Sequence, residues 1–217
     1  MKSGHISHIR PITPEVFELS IEPDSPFDFE AGQHVALEVP LVGPRYFSIA
    51  SDSRNKSQFR LLVRAPNEHP LRTFLLSSKP GDQVSFNGPG GKMRFQSQCQ
   101  NHLFVATGTG LSPFFSMLES HIQENPKSHF EFLLGFSNLD NQLYKDELEK
   151  YESQFKNLSC EVVYSREGQK TYVTDALRNY KWKTNSAVYL CGQKEMIESC
   201  ISILKGVQDI TVVRETY

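Results

Sequence analysis

Apolar and polar positions alternate with two different rhythms along this chain. From Gly4 to Phe95 the apolar residues come in short alternating runs broken by Pro, Gly and Asp, the period of strands that bury one face. The pattern predicts strands at His5–Ile12, Val16–Glu22, Gln33–Val39, Arg45–Ala50, Gln58–Arg64 and Gln83–Asn87. Turn clusters such as Pro23-Asp24-Ser25-Pro26 and Lys79-Pro80-Gly81-Asp82 join them, which makes an antiparallel six-stranded β-barrel. One apolar run, His69–Leu76, fits one or two helical turns instead; it is either a phosphate seat made by N-terminal amides and Thr73 or a cap on one end of the barrel. Gly88-Pro89-Gly90-Gly91 reads as the turn that closes this half, or as a bare stretch of backbone against which a planar ligand can lie.

At about Asn101 the rhythm changes. Continuous apolar runs (102–106, 130–136, 159–164, 187–191, 210–213) alternate with helical segments (112–124, 144–155, 173–179, 194–204). That order predicts a parallel sheet covered on both faces, a Rossmann-like α/β domain. The polar stretch Gln96–Gln100 separates the two rhythms and divides the chain into 1–97 and 98–217.

Composition narrows the class. Of the 217 residues, 38% are apolar and 22% charged, so both halves can bury a core. A net charge of −2 argues against a nucleic-acid binder that works through bulk positive charge. Met1-Lys2-Ser3-Gly4-His5 opens no apolar leader and no later run approaches a membrane span, so the expected setting is the cytoplasm, with no membrane partner; a monomeric chain is expected. Cys99, Cys160, Cys191 and Cys200 show no paired-cysteine spacing and no adjacent His pair, so no metal is expected and the thiols are reduced.

Four stretches carry candidate chemistry. Arg45-Tyr46-Phe47-Ser48 joins a planar five-donor cation, two aromatics and a hydroxyl, the means to hold a flavin by its phosphate, ring face and ring edge; the same residues suit an ordinary strand. Thr107-Gly108-Thr109-Gly110, followed by Leu111-Ser112-Pro113, lies between an apolar strand and a helix, where a pyrophosphate can meet bare backbone. Ser165, Arg166, Lys170 and Tyr172 supply a hydroxyl, two cations and an aromatic, enough for a ribose 2′-phosphate with a stacked adenine, or a solvated charged loop. Cys191-Gly192 ends a strand, as either a packed thiol or part of a ligand turn.

Taken in order, Arg45-Tyr46-Phe47-Ser48, Gly88-Pro89-Gly90-Gly91, Gly108-Thr109-Gly110-Leu111-Ser112-Pro113, Cys191-Gly192 and Glu215-Thr216-Tyr217 resemble the ferredoxin–NADP reductase family, over nearly the whole chain. The resemblance implies that Arg45 pairs with the flavin phosphate beside Tyr46, that Phe47 lies on one ring face and that Ser48 bonds near N5. It places Leu62, Val63 and Arg64 on the next flavin strand, and Leu71, Arg72 and Thr73 at the pyrophosphate. It assigns Thr107 to Pro113 and Gly192 to the nicotinamide dinucleotide, and Ser165, Arg166, Lys170 and Tyr172 to the 2′-phosphate. Ser48, Cys191, Glu215 and Tyr217 become the catalytic set, with Tyr217 covering the second flavin face.

The implied protein is an FAD-dependent (rather than FMN-dependent) oxidoreductase that uses NADP(H) and exchanges electrons with a ferredoxin- or flavodoxin-type carrier. The alternatives are an NAD(P)H:flavin reductase and an electron-transfer subunit of a larger complex. Three positions depart from the family pattern: Phe47 stands where Tyr is usual, the 65–68 loop lacks an adenine-stacking aromatic, and Gln193 stands where many members have Pro. Arg60, Arg64, Arg72, Lys92 and Arg94 form either a basic rim that steers an acidic carrier or scattered solubilising charge.

Overall fold

The structure is a computed structural model and describes residues 1–216. By internal contacts the described chain forms two compact units, one of 1–94 with 112–120 and the other of 95–111 with 121–216.

In the first unit six strands, β1 (Lys2–Thr13), β2 (Val16–Pro23), β3 (His34–Val39), β4 (Gly43–Ser48), β5 (Phe59–Arg64) and β6 (Gln83–Gly90), form a sheet of order β4-β3-β6-β1-β2-β5 in which every pairing is antiparallel. The chain leaving β4 turns back to β5 through an Ile49–Leu61 bridge and an Ala50 N–H bond to Arg60 O of 2.7 Å, which joins the two ends of the sheet. The alternation seen in the sequence is the reason for the core. Phe17, Leu19 and Ile21 of β2 and Leu61 and Val63 of β5 point inward together with Phe27, Phe59 and Phe86.

Several boundaries shift: the strand expected at 45–50 is Gly43–Ser48, the helix expected to reach 124 ends at His121, and the last strand runs on to Thr216. The first strand starts at Lys2 and carries irregularities between Ile6 and His8 and between Pro11 and Thr13, which let a strand containing Pro11 stay paired. The Gly88–Gly90 segment is the end of β6 rather than a turn: it stays paired to β3 through a bulge, with Gly90 opposite His34. The apolar run after β5 is a helix, α1 (Pro70–Ser77), whose buried Leu71 and Leu75 close one part of the barrel core.

Helix α2 (Ser112–His121) belongs by contacts to this first unit and is buried on nearly all sides. It is fastened to the loop after β4 by polar bonds. Glu119 accepts from the Asp52 N–H at 2.9 Å, Ser120 from the Ser53 N–H at 2.9 Å, and the Ser116 hydroxyl donates to Ser51 O at 2.6 Å.

The second unit has five parallel strands, β7 (Asn101–Thr107), β8 (His129–Phe136), β9 (Leu158–Tyr164), β10 (Ser186–Gly192) and β11 (Ile210–Thr216), in the order β11-β10-β7-β8-β9. The chain runs outward from β7 to β9, then returns to lay β10 on the other side of β7. The switch in strand order therefore falls between β7 and β10, the place where such sheets bind ligands. Helices α3 (Lys145–Gln154), α4 (Val173–Arg178) and α5 (Lys194–Leu204) follow the expected positions within a residue or two. In α5 the buried Met196, Ile197, Cys200 and Leu204 recur at helical spacing and face the sheet. The helix expected from 144 starts one residue later because Tyr144 has a left-handed backbone, φ 52°.

Among the described residues no helix is long and apolar enough to cross a membrane, and no group of three or more His, Cys, Asp or Glu could hold a metal ion.

Candidate functional site

In the first unit the candidate residues lie on β4, β5 and α1. Along β4, Arg45 and Tyr46 are exposed, Phe47 is half-buried against the barrel core, and Ser48 is buried opposite His34. Nη1 of Arg45 donates to Pro44 O at 2.9 Å, which holds the guanidinium against its own strand. Tyr46 meets the His34 ring edge-on, centroids 5.4 Å apart, and both line a groove of ≈ 250 Å³ with Glu38, Asn87, Gly88 and Gly90.

On β5, Val63 is wholly inside the core, so only its backbone is available to a ligand; Leu62 is buried on the other face and Arg64 pairs with Glu15 at 2.8 Å. Leu71 likewise belongs to the core through its side chain. Arg72 donates to Pro14 O and Ala65 O and lies 5.3 Å from the Phe17 ring, which makes it a fastener of the barrel. Thr73 is exposed on α1.

The sequence reading missed the cap of α1: His69 Nδ1 accepts from the Leu71 N–H at 3.1 Å, with Pro70 at the first helical position. His69-Pro70 ahead of an apolar run is a signal that imidazole capping could have disclosed.

Of the remaining cations of the supposed rim, Lys92 is exposed and the two arginines are engaged. Arg60 lies between Glu119 (2.6 Å) and Glu18 (3.6 Å), and Arg94 pairs with Glu30. These guanidiniums hold the barrel and α2 together, so the rim carries far less unbalanced charge than its sequence suggests.

In the second unit the turns after β7 and β10 pack against each other at backbone distance. Gly108–Leu111 forms a single 3₁₀ turn that leads into α2. A Cβ on Gly110 would stand 2.4 Å from Cys191 O, and one on Gly192, whose φ is +141°, would stand 2.3 Å from Thr107 Oγ1. Thr107 Oγ1 also accepts from the Gln193 N–H at 3.3 Å. Cys191 is fully buried; burial first, and the charge of Glu215 second, push its thiol far above the ordinary value. It is therefore a neutral packing surface and not a nucleophile. Glu215, half-buried on β11, sits directly opposite Cys191 in the strand register, so two of the expected catalytic residues are neighbours. Tyr217, the fourth member of that set, lies outside the described residues.

The third stretch follows β9. Ser165 and Arg166 are tied through their N–H groups to Phe136 O (3.0 Å) and Ser137 O (2.8 Å), while the side chains of Arg166 and Lys170 and most of Tyr172 are exposed. The loop's one carboxylate, Glu167, accepts from the Leu139 N–H at 2.8 Å and is thereby turned to the neighbouring 3₁₀ segment. A hollow of ≈ 350 Å³ beside it is lined by Leu139, Val162, Tyr164 and Thr171.

The donor chemistry fits both implied cofactors. An exposed guanidinium, a half-buried aromatic and a buried hydroxyl succeed one another on β4; Gly110 and Gly192 let the β7 and β10 turns close on each other, while a Cβ on Gly108 would meet nothing, which leaves bare backbone for a dinucleotide.

Residues 7–95 match the model of an oxidoreductase FAD-binding domain and residues 104–201 that of an oxidoreductase NAD-binding domain. The class is thus a two-domain flavin and nicotinamide oxidoreductase. Ferredoxin–NADP reductase B of Sorangium cellulosum is 30% identical over 91% of this chain and 88% of its own length. The chain belongs to the ferredoxin–NADP reductase family, flavoenzymes that join FAD to NADP(H).

The toluate 1,2-dioxygenase electron transfer component of Pseudomonas putida is 27% identical over 98% of this chain, which spans 66% of that relative. In fold the chain is similar to a mutant ferredoxin–NADP⁺ reductase from Plasmodium falciparum, with a TM-score of 0.81 at 24% identity, covering 99% of this chain and 95% of the other.

Proposed function

We propose that this chain passes electrons between NADP(H) and a one-electron protein carrier of the ferredoxin or flavodoxin type, as a cytoplasmic monomer. Residues 1–97 serve as the FAD module and 98–217 as the NADP(H) module. Bound FAD supplies the conversion between a hydride and single electrons.

The chain's own residues bind and orient. Arg45 offers a bidentate fork to a flavin phosphate, Phe47 a ring face and Ser48 a hydroxyl at the flavin edge. Leu62, Val63, Arg64, Leu71 and Arg72 contribute backbone and a rigid wall, and Thr73 a hydroxyl on the first turns of α1. Thr107 to Pro113 and Gly192 carry the pyrophosphate and nicotinamide. Cys191 is an uncharged surface beside the nicotinamide, and Glu215 a carboxylate able to hold or move a proton. Tyr217 is assigned to a flavin face by the family resemblance alone.

The observation that supports this reading most directly is the loop after β9. It presents Arg166, Lys170 and Tyr172 to solvent while Glu167 is tied to the Leu139 N–H, an arrangement suited to a 2′-phosphate and poorly suited to a 2′-hydroxyl.

The test is the absorption spectrum of the purified protein with identification of the released flavin, followed by NADPH-driven reduction of ferredoxin. Stoichiometric FAD with ferredoxin reduction is expected. A colourless protein that reduces added flavin would instead make it an NAD(P)H:flavin reductase. The similarity to the dioxygenase component favours one second reading, a subunit of a larger oxidoreductase complex; NADPH oxidation that needs a further protein before any carrier is reduced would establish it.

A further inference from the structure

We propose that the backbone N–H of Gln193 is a latch on Thr107 that sets the dinucleotide-binding turn before NADP(H) arrives, which makes Gln193 a positioning residue. The inference rests on the reading of the second unit as the NADP(H) site.

Gln193 directly follows Cys191-Gly192 and caps the N-terminus of α5, where a backbone N–H has no partner inside the helix. Its side chain is exposed and makes no capping bond, so the amide is the group the site uses. That amide donates to Thr107 Oγ1 at 3.3 Å across the switch point of the sheet. The approach is possible because Gly192, at φ +141°, leaves no Cβ between the two turns. With one lone pair of Oγ1 engaged by Gln193, the Thr107 hydroxyl proton is directed to another acceptor, and the side chain is held in one rotamer at the entrance to the Gly108–Leu111 turn. Ordering that side chain in advance lowers the cost of binding.

The backbone of Gln193 makes the idea testable. Its φ of −63° and ψ of 141° are angles that proline adopts, so Gln193→Pro removes the N–H without asking the turn to change shape. A proline here would satisfy the backbone and lack the latch.

The experiment measures NADP⁺ affinity of the FAD-loaded enzyme by difference spectroscopy. Gln193→Pro and Thr107→Val should each weaken NADP⁺ binding by about two- to tenfold, the worth of one neutral hydrogen bond. The double variant should be no weaker than either single one, because both remove the same interaction. Gln193→Ala keeps the backbone donor and should bind as wild type does. In turnover the loss should fall on KM for NADPH with kcat nearly unchanged, a split that general unfolding would not produce.

Adenosine 2′-monophosphate carries the 2′-phosphate without the 5′-phosphate half of the pyrophosphate, so it should bind all of these equally. If Gln193→Pro loses that affinity too, the turn has been disturbed, and the Thr107→Val result decides the question. NADP⁺ binding unchanged in Thr107→Val, or additive losses in the double variant, would overturn the latch. Unaltered 2′-monophosphate binding in Arg166→Ala would instead overturn the site reading on which it rests.

Discussion

Arg166 has its backbone pinned to Ser137 O and its guanidinium in solvent, so replacing it changes charge and little else. Arg166→Ala should raise KM for NADPH by about tenfold or more, the loss of one charge-assisted bond to phosphate, and leave KM for NADH nearly unmoved; steady-state kinetics with both cofactors checks it, and equal effects would remove Arg166 from the phosphate site.

His102 shows the opposite environment. It is 1% exposed, with Phe95 stacked 4.3 Å away and the Tyr189 hydroxyl 3.2 Å from Nδ1. Burial, aided by nearby His121, holds its pKa at about 4. An exposed imidazole in the unfolded chain takes up a proton near pH 6.5, so the unfolded state binds more protons between those values. Stability should therefore fall as pH drops from about 6.5 to about 4, by roughly 3 kcal/mol in all. Urea unfolding at several pH values should show this fall in the wild type and a flatter profile in His102→Phe.

Among the elements, α2 depends most on polar fastening. Glu119 accepts from both the Asp52 N–H and the Arg60 guanidinium. Glu119→Ala leaves a backbone donor and a cation with fewer partners, at a cost of about 1–3 kcal/mol. A lower unfolding midpoint with unchanged NADP⁺ affinity is the expected result, and a loss of affinity without loss of stability would place Glu119 in the site instead.

The elements also show what the chain's pattern can disclose. Alternation along β2 and β5 marked strands that bury one face, because side-chain direction follows from backbone period. The Gly88–Gly90 segment misled because its glycines carry no alternation: its pairing with β3 is a long-range backbone event that local composition does not encode.

For the molecule as a whole, little charge is left on the rim expected to steer a carrier. Net charge is −2, and Arg60, Arg64 and Arg94 are each matched to a carboxylate. Long-range attraction of an acidic carrier is then weak, and the rate of ferredoxin reduction should decline only modestly between low and physiological ionic strength. A steep decline measured by stopped flow would mean that other cations steer the carrier.

What the sequence determined by itself was the succession of elements, the class of each half and the residue types able to meet flavin, pyrophosphate and 2′-phosphate. These depend on period, turn chemistry and short motifs, all local in the chain. The tertiary structure decided which side chains remain for a ligand. It drew Val63 and Leu71 into the core, fastened Arg60 and Arg72 to the barrel, turned Glu167 to the Leu139 N–H, buried Cys191 opposite Glu215, and brought the Gln193 amide to Thr107. Each of those outcomes is a contact between residues distant in sequence or a competition between partners, and only the folded chain sets which partner wins.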